Sequence, residues 1–167
     1  MKFHYAAAVI AVLALSACQE PKQAKQEPVA AASATGPEAR PGITVAGGRL
    51  VLPAVAGNPA AAYFQIDNSA GANVAIAAFA INGAAKAEIH QTTADKMIDV
   101  DSVDIAPSTS IKFEPGQLHV MAFNLAPQLK AGGTTEMTVT FADGDKVSAP
   151  LKIEAAGGGM GHDRDSR

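Results

Sequence analysis

Over residues 43–155 apolar and polar positions alternate in short runs broken by Gly, Pro, Asn and Asp, the pattern of half-buried strands joined by turns. Thr44 to Pro53 contains a short apolar strand, Leu50-Val51-Leu52, entered through Gly47-Gly48. Ala60 to Asn68 follows with Tyr63 and Phe64, closed by the turn cluster Asn68-Ser69-Ala70-Gly71. Val74 to Ile81 is apolar at every position, which predicts a strand buried on both faces. Lys86 to His90 alternates: Ala87 and Ile89 point one way, and Lys86, Glu88 and His90 the other, so His90 sits on the polar side. Val103 to Ile105 and Ser110 to Glu114 are two further short strands, the second with Ile111 and Phe113 directed inward. Pro115-Gly116 suits the centre of a type II turn, because Pro fixes φ at the first position and Gly accepts a positive φ at the second. Leu118 to Leu125 returns from it with Leu118, Val120 and Ala122 on one face and His119, Met121 and Phe123 on the other. Glu136 to Phe141 alternates again, placing Met137 in phase with Val139 and Phe141 and therefore in the core, and Ala142-Asp143-Gly144-Asp145 turns into Lys146 to Ile153. Seven to nine strands at this spacing predict an all-β domain, an antiparallel Greek-key sandwich or barrel with almost no helix.

The flanks have a different character. Residues 1–17 read as a signal peptide: Lys2 and His4 precede an apolar run, Ala6 to Leu15, too short for a permanent membrane span. The run ends in Leu15-Ser16-Ala17-Cys18, which resembles the bacterial lipobox, where cleavage precedes the Cys and its thiol receives lipid. Cys18 is the single cysteine of the chain, so lipidation there leaves no thiol for redox chemistry or a disulfide. Residues 18–42, rich in Gln, Glu, Lys, Pro, Ala and Ser without periodicity, read as a lipidated start and a disordered tether. Residues 156–167 read as a flexible, glycine-rich tail. The expected location is the cell envelope, lipid-anchored and facing the periplasm, and Gln19 after the lipidated Cys points to the outer membrane. With 167 residues the chain holds one β domain, expected to be a monomer, and its net charge of −3 with no basic patch argues against nucleic acid as a partner.

The candidate chemistry lies between His90 and Met121. Beyond the leader the chain has histidines at 90, 119 and 162 and methionines at 97, 121, 137 and 160, and two of each fall in this window. Imidazole nitrogen and thioether sulfur suit cuprous copper, whereas Ca²⁺ or Mg²⁺ would call for carboxylates and carbonyls. His119 and Met121, one residue apart on a strand, project from the same face about 7 Å apart along the chain and can close on one ion. Met97 follows Asp95-Lys96 in what reads as a turn, where a thioether has no packing reason. Met160 and His162 on the tail are candidates for a secondary copper site, one that would extend binding to Cu(II).

The segments now quoted resemble the periplasmic copper chaperone family PCu(A)C. The family pattern is a His, a loop, a Met, and then His-X-Met after twenty-one residues, the number that separates Met97 from His119 here. Ala61-Ala62-Tyr63-Phe64 with Asn68, Glu88 to Thr93, Phe113 to Met121, and Pro127 to Gly132 also look like family segments. One departure stands: only six residues lie between His90 and Met97, fewer than is usual in the family, which alters how far Met97 reaches. The resemblance implies a cupredoxin-like Greek-key fold, one Cu(I) held by His90, Met97, His119 and Met121, and delivery of copper to an acceptor such as cytochrome oxidase assembly proteins. No catalytic arrangement is read in the chain, and a non-enzymatic role is expected. An electron carrier is disfavoured because a blue-copper site needs a Cys thiolate. A structural envelope lipoprotein with incidental His and Met is the alternative.

The anchor is testable alone. Cys18→Ser should abolish lipid attachment and leave unprocessed or soluble precursor; unchanged metabolic labelling with palmitate in that variant would contradict the lipoprotein reading.

Overall fold

The computed structural model of the chain describes residues 40–94 and 96–157. Cys18 and the secondary candidates Met160 and His162 lie outside the described residues. Ten strands and no helix are found among those described: β1 (Ile43–Val51), β2 (Ala60–Asn68), β3 (Val74–Ile81), β4 (Ala84–Thr92), β5 (Met97–Asp99), β6 (Val103–Ile105), β7 (Thr109–Phe113), β8 (Leu118–Leu125), β9 (Thr134–Phe141) and β10 (Lys146–Glu154).

The strands form one hydrogen-bonded path, β5-β4-β8-β2-β1-β10-β9-β3-β6, with β7 paired to the far end of β2. β1 and β10 run parallel, and the other pairings are antiparallel. The path folds back on itself so that β3 faces β2 and β7, and three phenylalanines meet in the middle. Phe64 stacks on Phe113 at 4.3 Å, and Phe79 closes the cluster at 5.4 Å and 5.5 Å from the two rings. Such pairs add about 0.5–1.5 kcal/mol each beyond the area they bury. Around them pack Leu50, Ile66, Ile76, Val120, Met137, Val139 and Leu151, all fully buried. β2 shows how the sequence encodes this: Ala60, Ala62, Phe64, Ile66 and Asn68 are buried in strict alternation with half-buried Ala61, Tyr63, Gln65 and Asp67.

Two expectations need correction. β3 is not buried on both faces: Val74, Ile76, Phe79 and Ile81 are inside, while Ala77, Ala78 and Ala80 face solvent, with a register shift between Ile76 and Ala78. Alanine is small enough to sit on either face, so an all-apolar run conceals the alternation. β1 also starts earlier than its apolar run, at Ile43, and passes through Gly47-Gly48 as a bulge that resets its register on β2. A Cβ on Gly48 would stand 2.6 Å from the Pro150 carbonyl oxygen, so the close approach of β1 to β10 needs glycine.

The packing extends back to Arg40. Its guanidinium lies 4.8 Å from the centre of the Phe141 ring and pairs with Asp143 at 2.6 Å, tying the start of the domain to the β9–β10 turn. Hydrogen bonding from Arg40 holds the Asp143 carboxyl below its usual range. A depressed carboxyl favours the folded state above its ordinary pKa, so this tie loosens as acid protonates Asp143.

One buried polar side chain organises the opposite end. Asn68, 1% exposed, donates to the carbonyls of Ala72, Ile105 and Ala106 and accepts from the Ala70 N–H. It joins the β2–β3 turn to the end of β6. Asn68→Ala strands those carbonyls and should cost about 1–3 kcal/mol in denaturant unfolding. Met137→Ala opens a core cavity and should cost about 2–5 kcal/mol in the same measurement. Losses within error of zero would contradict the packing described.

Candidate metal site on the β5-β4-β8 face

The site begins with a turn. Gly116 has φ +77°, and the Gln117 N–H donates to the Glu114 carbonyl at 3.1 Å, the type II geometry that Pro115-Gly116 predicts. The chain re-enters the sheet as β8 with Leu118, Val120 and Ala122 buried in the core. Burying those three forces His119, Met121 and Phe123 onto the outer face.

β4 does the same from the other side. Ile89 is buried against the core, which sends Glu88 and His90 outward. The register then decides what meets: His90 lies opposite His119, Glu88 opposite Met121, and Lys86 opposite Phe123. Directly opposed residues of an antiparallel pair share a face with their Cβ atoms about 5 Å apart. The two imidazoles are accordingly stacked with centroids 6.1 Å apart and planes at 25°. Metal–imidazole bonds are about 2 Å long, so one ion can bridge rings at this separation.

β5 completes the face. It pairs with β4 so that Asp99 is opposite His90 and Met97 opposite Thr92. Met97 thus lies at the start of a short edge strand rather than in the turn expected for it. The turn is made just before it, where the Thr93 N–H and hydroxyl both donate to the Lys96 carbonyl at 2.8 Å and 2.9 Å. From the register, Asp99, His90 and His119 form one row across three strands, with Met97 and Met121 on the rows to either side. On an ideal sheet Met121 stands roughly 7 Å from His119, and Met97 roughly 12 Å, being two strands over and two residues along. The structure therefore brings His90, His119 and Met121 together and leaves Met97 at the far corner. Met97 is 51% exposed, about half of its surface open to solvent.

Burial grades across the row. His119 is 4% exposed, flanked by Tyr63 with ring centres 6.4 Å apart. His90 is half-buried beside Phe123, 6.3 Å away, so it is neither a core histidine nor a solvent-exposed bystander. Each ring is held through one nitrogen: His119 Nδ1 is 2.9 Å from the Gln117 carbonyl, and His90 Nε2 is 2.6 Å from Asp99 Oδ1. His90 Nδ1 is buried with no hydrogen-bond partner. Such an orphan is uncommon, and a metal is one way to satisfy it. Among the described residues no three His, Cys, Asp or Glu side chains gather into a group that could hold a metal, which leaves the thioethers as the donors available beside the two imidazoles. That donor set suits a soft monovalent cation over a hard divalent one.

Comparison with known proteins identifies the family and the fold. Residues 43–153, from the start of β1 into β10, match the family described as "Putative lipoprotein LpqE-like". The chain belongs to the LpqE-like family. Its fold is shared with solved PCuAC domains, all distant in sequence. A copper-bound PCuAC domain from PmoF2 is 20% identical with a TM-score of 0.60, covering 68% of this chain and 93% of its own. An apo PCuAC domain from PmoF1 is 24% identical with a TM-score of 0.60, covering 68% and 94%. The Cu(I) form of DR1885 from Deinococcus radiodurans is 22% identical with a TM-score of 0.54, covering 72% and 83%. No curated protein sequence matches the chain. The cupredoxin-like Greek-key expectation and the PCuAC resemblance agree with these matches.

Asp99 and Tyr63 were not singled out by the sequence, although Asp99 had a signal. Met97-Ile98-Asp99 alternates, and a tight hairpin at residues 93–96 sets Asp99 opposite His90. The pattern is concealed because the alternation of Lys86 to His90 gives no sign that β4 continues to Thr92.

Proposed function

We propose that this LpqE-like protein is a copper chaperone of the cell envelope, holding one Cu(I) through His90, His119 and Met121, with Met97 closing over the ion from the sheet edge. The observation that carries this reading is the register pair His90–His119, one row from Met121 on an outer face. Support comes also from the fold, shared with domains whose structures contain copper. Thioethers bind without losing a proton and do not form the disulfides that paired thiols would form in an oxidising compartment. Met97, half exposed on a three-residue edge strand, lets the fourth ligand come and go. An acceptor can then replace ligands one at a time, as delivery requires. The acceptor class is the copper-loading machinery of a cytochrome oxidase. Lipid on Cys18 keeps the chaperone at the membrane, probed best by the labelling described above, and Met160 with His162 offers a weaker second site on the tail.

Competition of the intact chain against a Cu(I) chelator under anaerobic conditions tests the site. His119→Ala and Met121→Ala should each weaken binding tenfold or more, about 1.4 kcal/mol. Met97→Ala should cost least. A His119/Met121 double-alanine variant that folds and binds Cu(I) as tightly as the wild type would remove the site and favour an envelope lipoprotein with incidental ligands.

A further inference from the structure

The two histidines are held by opposite nitrogens. Asp99 Oδ1 lies 2.6 Å from His90 Nε2. An ionised carboxylate can only accept, so Nε2 carries the proton; a neutral imidazole has one N–H, so Nδ1 holds a lone pair. That Nδ1 is the atom buried without a partner. At His119 the roles reverse. Its Nδ1 is 2.9 Å from the Gln117 carbonyl, which also can only accept, so Nδ1 carries the proton and Nε2 the lone pair. The Gln117 carbonyl, in the turn just before β8, is itself pinned by the Thr92 N–H at the end of β4 at 3.1 Å, which fixes the ring's anchor to the sheet.

We propose that Asp99 is a positioning residue that fixes the tautomer of His90, so that the pair presents unlike nitrogens to one ion: Nδ1 from His90 and Nε2 from His119. The ligand half rests on the copper reading above, and the tautomer half does not. With His90 Nε2 turned to Asp99 and His119 Nδ1 turned to the Gln117 carbonyl, the nitrogens left for an ion are of opposite kind, Nδ1 on one ring and Nε2 on the other. Asp99 is suited to the task because β5 sets it in register with His90, while its side chain, 79% exposed, remains hydrated. A carboxylate or carbonyl on the far nitrogen commonly orients a metal-bound histidine. Here one ring uses each.

Long-range ¹H–¹⁵N spectra of the intact chain with ¹⁵N-labelled histidine, recorded with the imidazoles neutral, test this before any metal is added. The wild type should show His90 protonated on Nε2 and His119 on Nδ1. In Asp99→Ala the His90 signal should become that of mixed tautomers while His119 stays unchanged. Asp99→Asn should restore the single tautomer, because its amide oxygen accepts the same bond. A proton on His90 Nδ1 in the wild type, or one unaltered tautomer in Asp99→Ala, would overturn the assignment. Cu(I) added anaerobically should then shift His90 Nδ1 and His119 Nε2, with affinity falling about 10–100-fold in Asp99→Ala and largely recovered in Asp99→Asn. If His90 Nε2 shifts instead and Asp99→Ala binds tighter, Asp99 competes with the ion and the proposal is wrong. If neither histidine shifts while the apo tautomers are as described, the copper reading fails and takes the ligand half with it.

Discussion

The antiparallel register of β4 on β8 is the constraint on which this protein's site depends. Ile89 opposite Val120, both turned into the core, places His90 opposite His119 outside. Because side chains alternate with a period of two, a slip of one residue would turn the histidines into the core and expose the apolar set. Burial of Ile89, Leu118, Val120 and Ala122 therefore enforces the placement of the histidine pair although none of them lies on that face. The Pro115-Gly116 turn contributes by fixing where β8 begins, and Phe64, Phe79 and Phe113 belong to the same buried core as the inward residues of both strands.

Rigidity is graded across the face. His119 sits in the middle of the sheet, covered by Tyr63, whose ring in turn lies 4.9 Å beneath the Arg49 guanidinium. His90 is half-buried one strand out, and Met97 stands exposed at the edge. In the proposed chaperone such a gradient would serve both retention and release: ligands set by the core would supply affinity, and a ligand on a short edge strand an opening. Ligands fixed on all sides would hold copper well and give it up slowly.

Much of this was legible from local alternation. The outward faces of Lys86 to His90 and of Leu118 to Leu125, the turn at Pro115-Gly116 and the core position of Met137 all follow from neighbours two residues apart. What stayed hidden was non-local or chemically silent. No periodicity states that His90 lies opposite His119 rather than one row away, because pairing joins residues 29 apart in sequence. Asp99 is recognisable only once a hairpin is placed at residues 93–96. The alanines of β3 carry too little side chain to reveal which face they occupy, and the distance of Met97 from the histidine row depends on a three-residue strand too short to show a pattern.

X-ray absorption at the copper edge of the intact chain loaded with one equivalent of Cu(I) tests the central claim most directly. A mixed inner shell of imidazole nitrogen and thioether sulfur is predicted, with sulfur scattering reduced when Met121 is replaced by alanine. An inner shell of nitrogen and oxygen alone, or copper lost on simple buffer exchange, would contradict it.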